Sequence, residues 1–478
     1  MTSSGAAVLS NDTASWSALL SGRNRWRALA VTGGVALHAI NVHIVTTILP
    51  SVVREIGGVA WYAWSTTVFV VASILGASLS VRLLQRFGPR STYLAALAVF
   101  VIGSLGCASA PAMAWLLAAR GVQGLGGGVL AALSYALIRL LFEAALWPRA
   151  VALVSGMWGV ATLLGPAVGG IFAELGQWRW AFGALLPVAL AQALVAGAQL
   201  PRQAGGDVAP QASPIGRILL LMGSVLCVAA ASLADALAVQ LAMIAAGLGL
   251  GLELARRDRR AAVRLLPTGA YAPWTAFGAI YGSVALLLIG TDTEIFVPYF
   301  LQTLHGFSPL AAGYLSAAMA GGWSVASLLS SGRTGIDAER VLRLGPWLSA
   351  AGLLGLWLLL PQQVFGASVQ ALGLALALAA TGFGVGMVWP HLLTRVMTLA
   401  PPGEENLAST SITTVQLYGM AIGAAMAGLV ANAAGLTEPG GIEGAQSAAR
   451  WLFASFALAP VLAAVLARRL IAPPAQPK

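Results

Sequence analysis

The sequence predicts an all-α polytopic membrane protein, and three observations lead to this fold class. Of 478 residues, 58% are hydrophobic and only 9% are charged, whereas a soluble domain carries about 25% charged residues. The mean hydropathy is +0.84. Apolar runs of about 20 residues, the length that crosses a bilayer, recur along the whole chain. This composition excludes an ordinary soluble enzyme.

The charge pattern excludes other classes of protein. The chain has 26 basic and 16 acidic residues, but its arginines lie between apolar runs instead of forming one basic face, so no nucleic-acid partner is expected. Cys107 and Cys227 fall inside apolar runs and indicate neither a disulfide framework nor a metal site. No cofactor is predicted, and no nucleotide-binding motif occurs in the loops.

Apolar runs bounded by charge, proline or polar clusters predict fourteen spans in a six, two, six arrangement. The predicted segments are a tail at 1–27, a six-helix bundle at 28–200, a linker at 201–214, two inserted helices at 215–255, a basic loop at 256–271, a second six-helix bundle at 272–470 and a tail at 471–478. Two bundles of this kind meet around a site near the bilayer midplane in transporters. A membrane scaffold or a membrane enzyme is the alternative.

The arginines predict the orientation. With fourteen spans, most of the 26 basic residues lie on one side, together with both termini; Arg54, Arg179 and Arg450 lie on the other side and Arg120 within a span. Because cytoplasmic loops are enriched in Lys and Arg, both termini are expected in the cytoplasm. The expected location is the plasma membrane or the inner membrane of the cell, as a multi-pass monomer in the lipid bilayer.

Several motifs occur in a fixed order along the first half. They comprise Arg86-Phe87-Gly88-Pro89-Arg90 after the second span; Arg120, Gln123, Gly124, Gly126, Gly127 and Gly128 in the fourth; Gly156, Gly159, Gly165, Pro166, Gly169 and Gly170 in the fifth; and Trp178, Arg179, Trp180 and Phe182 directly after it. Together they resemble the signatures of the major facilitator superfamily, and in particular of its fourteen-span drug/proton antiporter family. This resemblance implies the two-bundle fold and transport by alternating access.

Glycines spaced by three and four along the fifth span give that helix a smooth face, and Pro166 permits a bend. The resemblance implies that this face packs between the two halves and limits leakage during the cycle. It likewise gives Arg86, Gly88 and Arg90 a conformational role. Simple close packing of helices is the alternative for the glycines.

Arg120 lies within an otherwise uncharged span, where an isolated guanidinium costs at least about 2.5 kcal/mol and therefore needs a partner or water. The resemblance links this arginine to proton coupling. The alternative is a structural arginine that bonds to backbone carbonyls of a neighbouring helix.

The first span departs from the family pattern. The membrane aspartate of the family falls on Asn41 and its threonine on His43. Since asparagine does not carry a proton, either coupling occurs elsewhere or this chain does not use protons. His38 and His43 are candidate proton carriers because histidine titrates near neutral pH; histidines hydrogen-bonded between helices are the alternative.

The first span of the second bundle is the seventh span when the two inserted helices are not counted. It contains Asp292 and Glu294, two carboxylates inside an apolar segment. Intramembrane acids are functional candidates by default. In one continuous α-helix the two side chains point about 200° apart, with Asp292 on the stripe of Tyr281 and Tyr299. The alternative is that both lie in a wet vestibule.

Polar and aromatic residues of the predicted spans are candidates for a substrate cavity: Asn41, Gln123, Trp158, Tyr281, Tyr299, Gln302 and Trp389. The functional prediction is proton-coupled export of small amphipathic drugs or toxic compounds, with no enzymatic activity. A specific importer or facilitator for one metabolite, without proton coupling, is the alternative. The charge of the substrate stays open, because the carboxylates suit a cation and Arg120 suits an anion.

Overall fold

The computed structural model describes residues 16–202 and 214–471, and within these ranges every regular element is helical. The first half contains α1 (Trp16–Leu20), α2 (Gly22–Ile56), α3 (Trp64–Ala108), α4 (Met113–Leu141), α5 (Trp147–Glu174), α6 (Trp178–Gly183) and α7 (Leu185–Gln199). Helices α8 (Ile215–Ala231) and α9 (Leu237–Arg259) lie where the sequence predicts the inserted pair, and we keep that name for them. The second half contains α10 (Ala276–Thr291), α11 (Val297–His305), α12 (Pro309–Ser330), α13 (Gly335–Leu359), α14 (Ala367–Thr398), α15 (Glu405–Ala433), α16 (Gly441–Phe456) and α17 (Leu458–Ile471).

Eleven helices in the described ranges are long and apolar enough to cross a membrane, which agrees with the predicted all-α polytopic class. The fourteen-span count stays a prediction. Helix α2 begins at Gly22 and α1 precedes it, so the predicted tail at 1–27 is partly helical. The Arg27 guanidinium donates to the carbonyl oxygen of Leu141 at 3.0 Å and anchors this extension. Most of the linker at 201–214 and of the tail at 471–478 lies outside the described residues.

Helix α3 has 45 residues, far more than the 20 or so that cross a bilayer. It breaks at Gly88, where φ is 76° and ψ is 169°, next to Pro89. Both arms of α3 pack against one stretch of α4: a Cβ at Gly124 would lie 2.3 Å from the Phe69 oxygen, and one at Gly126 would lie 2.5 Å from the Phe100 nitrogen. The two arms therefore form a hairpin around the break.

The two halves repeat one packing device. In the first half, a Cβ at Gly124 or Gly128 of α4 would collide with backbone oxygens of α3. In the second half, a Cβ at Gly382 or Gly386 of α14 would lie 1.7 or 2.2 Å from backbone oxygens of α12. Each pair of glycines is four residues apart, on one helix face, so the backbones of neighbouring helices come into direct contact. The relation of the two bundles as repeats stays a prediction.

The inserted pair is attached to both halves at one face of the protein, which we call the junction face. The Asn432 side-chain amide in α15 donates to the carbonyl oxygens of Ala60 at 2.8 Å and Ser232 at 3.0 Å. The Trp64 indole donates to the Ser232 hydroxyl at 3.2 Å. One side chain of the second half therefore holds the loop before α3 and the end of α8.

At the other end of the inserted pair, Asp258 is fully buried and accepts hydrogen bonds from the Arg217 guanidinium at 2.5 Å, the Leu265 amide at 2.8 Å and the Tyr271 hydroxyl at 3.0 Å. Burial, together with the Asp258 charge, raises the pKa of Tyr271. The carboxylate thus ties the basic loop to both inserted helices.

Candidate functional site

The buried polar cluster of the first half is centred on Arg120, which is 1% exposed. Its Nε donates to the backbone oxygen of Ser65 at 3.2 Å and its Nη1 to the Gln123 side chain at 2.5 Å. The guanidinium lies 4.0 Å from the centre of the Phe69 ring, a favourable cation–π geometry. This is the arrangement of a structural arginine, and its role in proton coupling stays a prediction.

Two of the candidate cavity residues are enclosed within their own halves. Gln123 is fully buried and donates to the Ser104 hydroxyl at 2.8 Å. Tyr281 is 4% exposed, and its hydroxyl donates to the Ala408 oxygen at 3.0 Å and lies 2.7 Å from the Ser411 hydroxyl of α15. Both side chains are bonded to helices of their own bundle, and their place in a substrate cavity stays a prediction.

The polar residues of α2 lie against α3, α4 and α5. The His38 ring centre is 5.1 Å from that of Phe69 and 6.1 Å from that of Trp158. The His43 Nε2 is 3.5 Å from the Thr162 hydroxyl of α5. Asn41 is fully buried, and within the described part of the chain neither its side-chain nitrogen nor its oxygen has a hydrogen-bond partner.

The two acids of the second half lie at a helix break. A continuous helix was expected here, but α10 ends at Thr291, residues Asp292–Phe296 form a 3₁₀ helix, and α11 begins at Val297. Pro298 has no amide hydrogen to continue the preceding hydrogen-bonding pattern, which explains the change. Asp292 and Glu294 are both partly exposed. At about 120° of rotation per residue, the two side chains still point in different directions, about 120° apart.

Asp292 is the acid with an unsatisfied oxygen. Its Oδ2 is buried and has no hydrogen-bond partner among the described residues. Gly423 of α15 provides the space, since a Cβ there would lie 2.0 Å from that oxygen. No sequence motif indicates this contact, because Asp292 and Gly423 are far apart in the chain and Gly423 belongs to none of the recognised motifs.

An aromatic group joins the halves beside the break. Tyr62, which precedes α3, is 1% exposed, and its ring stacks on Phe296 at 4.9 Å and meets Tyr299 edge-on at 5.5 Å. Gln302 accepts a hydrogen bond from Arg54 at 3.2 Å. The candidates Tyr299 and Gln302 therefore contact the first half directly.

A second aromatic pair lies on α12 and α14. The ring centres of Trp323 and Trp389 are 4.7 Å apart, and the two ring planes are inclined by 62°. Both indoles are partly exposed, as is Trp158 of α5 in the first half. Each half thus offers partly exposed tryptophan surface.

The glycine face of α5 divides between three environments. At Gly165 and Gly169 it packs on α2 within the same half, where a Cβ at Gly165 would lie 2.3 Å from the His43 Cβ. At Gly170 it reaches the other half, since a Cβ there would lie 2.6 Å from the Leu310 Cα. Gly156 and Gly159 have no atom from elsewhere in the described residues within 4 Å of such a Cβ. In the part of the chain that the structure describes, the α5 glycine that meets the other half therefore lies near the end of this helix.

Pro166 also contacts the other half, because a Cβ at Gly313 would lie 3.1 Å from the Pro166 Cβ. Around the α3 break, the Arg90 amide donates to the Pro201 oxygen at 3.2 Å. The Arg86 guanidinium lies 5.3 Å from the Phe87 ring centre. The roles of these motif residues in the transport cycle stay predictions.

Comparison with known proteins gives one family. The family model for the major facilitator superfamily matches residues 31–424. A probable multidrug-efflux transporter of Mycobacterium tuberculosis is 39% identical over 464 residues, covering 93% of this chain and 94% of the relative. The tetracenomycin C resistance and export protein of Streptomyces glaucescens is 27% identical over 423 residues, 86% of this chain and 76% of the relative.

Solved structures share the fold at low identity. A D-xylose–proton symporter has a TM-score of 0.64 at 15% identity and covers 93% of this chain and 97% of its own. A POT family transporter in complex with 5-aminolevulinic acid has a TM-score of 0.66 at 14% identity, with the same two coverages. At these identities the likeness concerns the fold alone.

Proposed function

The chain belongs to the major facilitator superfamily, and we propose that it exports amphipathic compounds in exchange for protons. As a member of this superfamily it is a multi-pass membrane transporter and not an enzyme. The similarity to a probable multidrug-efflux transporter over nearly the whole chain supports drug efflux, with a bacterial plasma membrane as its location. Alternating access of the two bundles provides the transport cycle.

The unsatisfied Asp292 oxygen carries the proposal for protons. An ionised carboxylate held against the backbone of Gly423, without a donor, is costly in an apolar segment. Protonation of the acid removes this cost. Movement of α15 away from the 3₁₀ segment admits water to the buried Oδ2, and the acid then releases its proton. Such a step links protonation to the separation of helices that alternating access requires.

The tryptophan surfaces and the acids support an amphipathic cation as substrate. Trp323 and Trp389 offer flat apolar surface with an attractive face for positive charge. The partly exposed Glu294 offers a countercharge. Arg120 is enclosed by its own half and bonded to Ser65, so it is not positioned to receive an anion.

We also infer fourteen spans with both termini in the cytoplasm. The eleven apolar helices include residues 59–108 as one unit, although α3 breaks at Gly88. Counting its two arms separately and adding α8 and α12 gives fourteen. Cysteines placed singly at residue 235, between α8 and α9, and at residue 262, after α9, test this topology. A membrane-impermeant maleimide applied to intact cells should label only the first.

A flux assay in proteoliposomes tests the proposed function. The wild type should expel a lipophilic fluorescent cation against its gradient when a pH gradient is imposed and should move it only downhill without one. Asp292→Asn should reduce gradient-driven flux at least about tenfold, and Glu294→Gln should weaken cation binding. Asp337→Asn removes an exposed carboxylate bonded to Arg340 and should retain wild-type flux. Full coupling in Asp292→Asn would exclude this residue as the proton carrier.

A facilitator or importer for one metabolite remains the second candidate, and Asn41 favours it. This residue stands where the resemblance places an acid, and it is buried without a partner. Flux that equilibrates a solute and never responds to a pH gradient, in the wild type as in Asp292→Asn, would support this second function and overturn the first.

A further inference from the structure

The hairpin of α3 contains an apolar groove that the transport function does not use. It has a volume of about 380 Å³, opens between the two arms of α3 and α4, and is lined mainly by Leu79, Leu83, Phe87, Ala95, Val99 and Val129. We call it the α3 groove. Its size is within the range of small-molecule sites, which begins at about 300 Å³.

The groove is open to the surroundings and has few polar groups. Phe87 is 51% exposed at its rim, and Ala95 is exposed as well. The Thr92 hydroxyl, which belongs to the lining, donates to the Leu83 carbonyl oxygen at 2.9 Å. The hydroxyl of Ser91 at the rim is the other side-chain polar group of the lining. A surface of this kind on a membrane helix fits a hydrocarbon chain better than water.

Positive charge surrounds the break at the end of the groove. Residues 79–99 include Arg82, Arg86 and Arg90 and no acidic residue. Arg86 is exposed and stacks over Phe87, which lines the groove. In the ranges that the structure describes, none of the three arginines has a carboxylate within 4 Å. The Arg86 guanidinium therefore has N–H donors available for an anion at the groove rim. Arginine binds phosphate particularly well.

We propose that the α3 groove binds an acyl chain of an anionic phospholipid from the surrounding bilayer, with the lipid phosphate on Arg86. The apolar lining of the groove matches the acyl chain of the lipid, and Arg86 at the rim matches its charged headgroup. Juxtamembrane arginines attract anionic lipids to the membrane surface. Phosphatidylglycerol should therefore occupy the groove in preference to phosphatidylcholine.

Photocrosslinking in vesicles tests the occupant. The full-length protein is reconstituted with phosphatidylglycerol or phosphatidylcholine that carries a diazirine on one acyl chain, and labelled peptides are identified by mass spectrometry. Phosphatidylglycerol should label residues 79–99 and 125–129. Ala95→Trp fills the groove from its rim and should reduce this labelling at least fivefold. Ala98→Trp places the same indole on an exposed position of α3 that does not line the groove and should leave labelling unchanged.

The charge is tested separately. Arg86→Gln should lower the preference for phosphatidylglycerol over phosphatidylcholine about fivefold, as expected for one interfacial cation. Arg256→Gln removes an exposed arginine at the end of α9 and should not change the preference at the groove. Equal labelling by both lipids in the wild type, or equal labelling of Ala95→Trp and Ala98→Trp, would overturn the proposal. So would labelling by a diazirine derivative of an amphipathic drug that phosphatidylglycerol does not compete away.

Discussion

The charged residues inside the two halves, Arg120 and Asp292, differ in how completely their hydrogen-bonding groups are satisfied. In the first half, the Arg120 guanidinium has the Ser65 oxygen, the Gln123 side chain and the Phe69 ring as partners. In the second half, the Asp292 oxygen faces Gly423 without a donor among the described residues. A satisfied buried ion stabilises one arrangement of helices, whereas an unsatisfied one gains a partner when the arrangement changes. We therefore expect Arg120 to stabilise the folded first half and Asp292 to take part in the movement of helices.

The strongest test of this difference is the stability of Arg120→Ala. The substitution removes the largest polar side chain of the buried core, its cation–π contact and the partner of Gln123, so we expect a loss of about 3 kcal/mol. Thermal unfolding in detergent should show a melting temperature several degrees lower. Asp292→Asn should unfold close to the wild-type temperature. Equal melting temperatures for Arg120→Ala and the wild type would contradict the structural role.

The contact between Asp292 and Gly423 provides the next largest effect. Gly423→Ala forces the Asp292 carboxylate to move, because the Cβ added at residue 423 would lie 2.0 Å from the Asp292 Oδ2. We expect about tenfold weaker gradient-driven flux, equivalent to roughly 1.4 kcal/mol. Gly419→Ala, one turn earlier, approaches the Ala285 Cα at 3.3 Å and does not touch the acid. If both variants lose the same flux, general packing of α15 and not the acid is responsible.

A third variant tests whether the two halves separate near the acid. Gly170→Ala would bring its Cβ within 2.6 Å of the Leu310 Cα and so destabilise the closed contact. Labelling of a single cysteine at residue 302, in a background without Cys107 and Cys227, should become about fivefold faster, equivalent to roughly 1 kcal/mol. Gly156→Ala, which meets no atom within 4 Å, serves as the control and should not accelerate labelling.

We expect the smallest change in stability from substitution of Glu404. This carboxylate has hydrogen-bond donors and is therefore compared with Asp292. The Thr268 hydroxyl and amide donate to it at 2.7 Å each, and these bonds lower its pKa below the ordinary value of 4.5. A pKa that is lowered in the folded state adds stability at pH values above the ordinary value of 4.5. This stability is lost as the pH falls through the folded-state pKa. Glu404→Gln should therefore cost about 1 kcal/mol or less at pH 7.

Melting temperatures at two pH values check this expectation. The difference between Glu404→Gln and the wild type should shrink at pH 4 relative to pH 7, while Glu443→Gln, at an exposed position, should show no difference at either pH. A deficit that grows on acidification would contradict the assigned bonds.

Much of the fold could be predicted from the sequence because membrane helices depend on local composition. Apolar runs marked the helices, and Gly88 with Pro89 marked the break in α3, since both residues act on their own backbone. The acids at residues 292 and 294 stood out because charge is rare in such segments. These signals require no knowledge of neighbouring helices.

The details of the site depended on distant partners. Tyr281 was expected at a cavity, but its hydroxyl bonds to Ser411, 130 positions away. Helical periodicity predicts which residues share a stripe and not which neighbour that stripe meets. Pro298 could have indicated the helix break near Asp292. The space at Gly423 could not have been found, because a glycine far from any motif carries no local signal.

The shared amide of Asn432 has a kinetic consequence. Its two hydrogens hold Ala60 and Ser232, so the junction face opens only when at least one of these bonds breaks or when the inserted pair follows α15. We therefore expect the inserted helices, which contribute none of the candidate residues named above, to affect how fast the junction face opens. Changes in the short turn between α8 and α9 are accordingly expected to alter turnover.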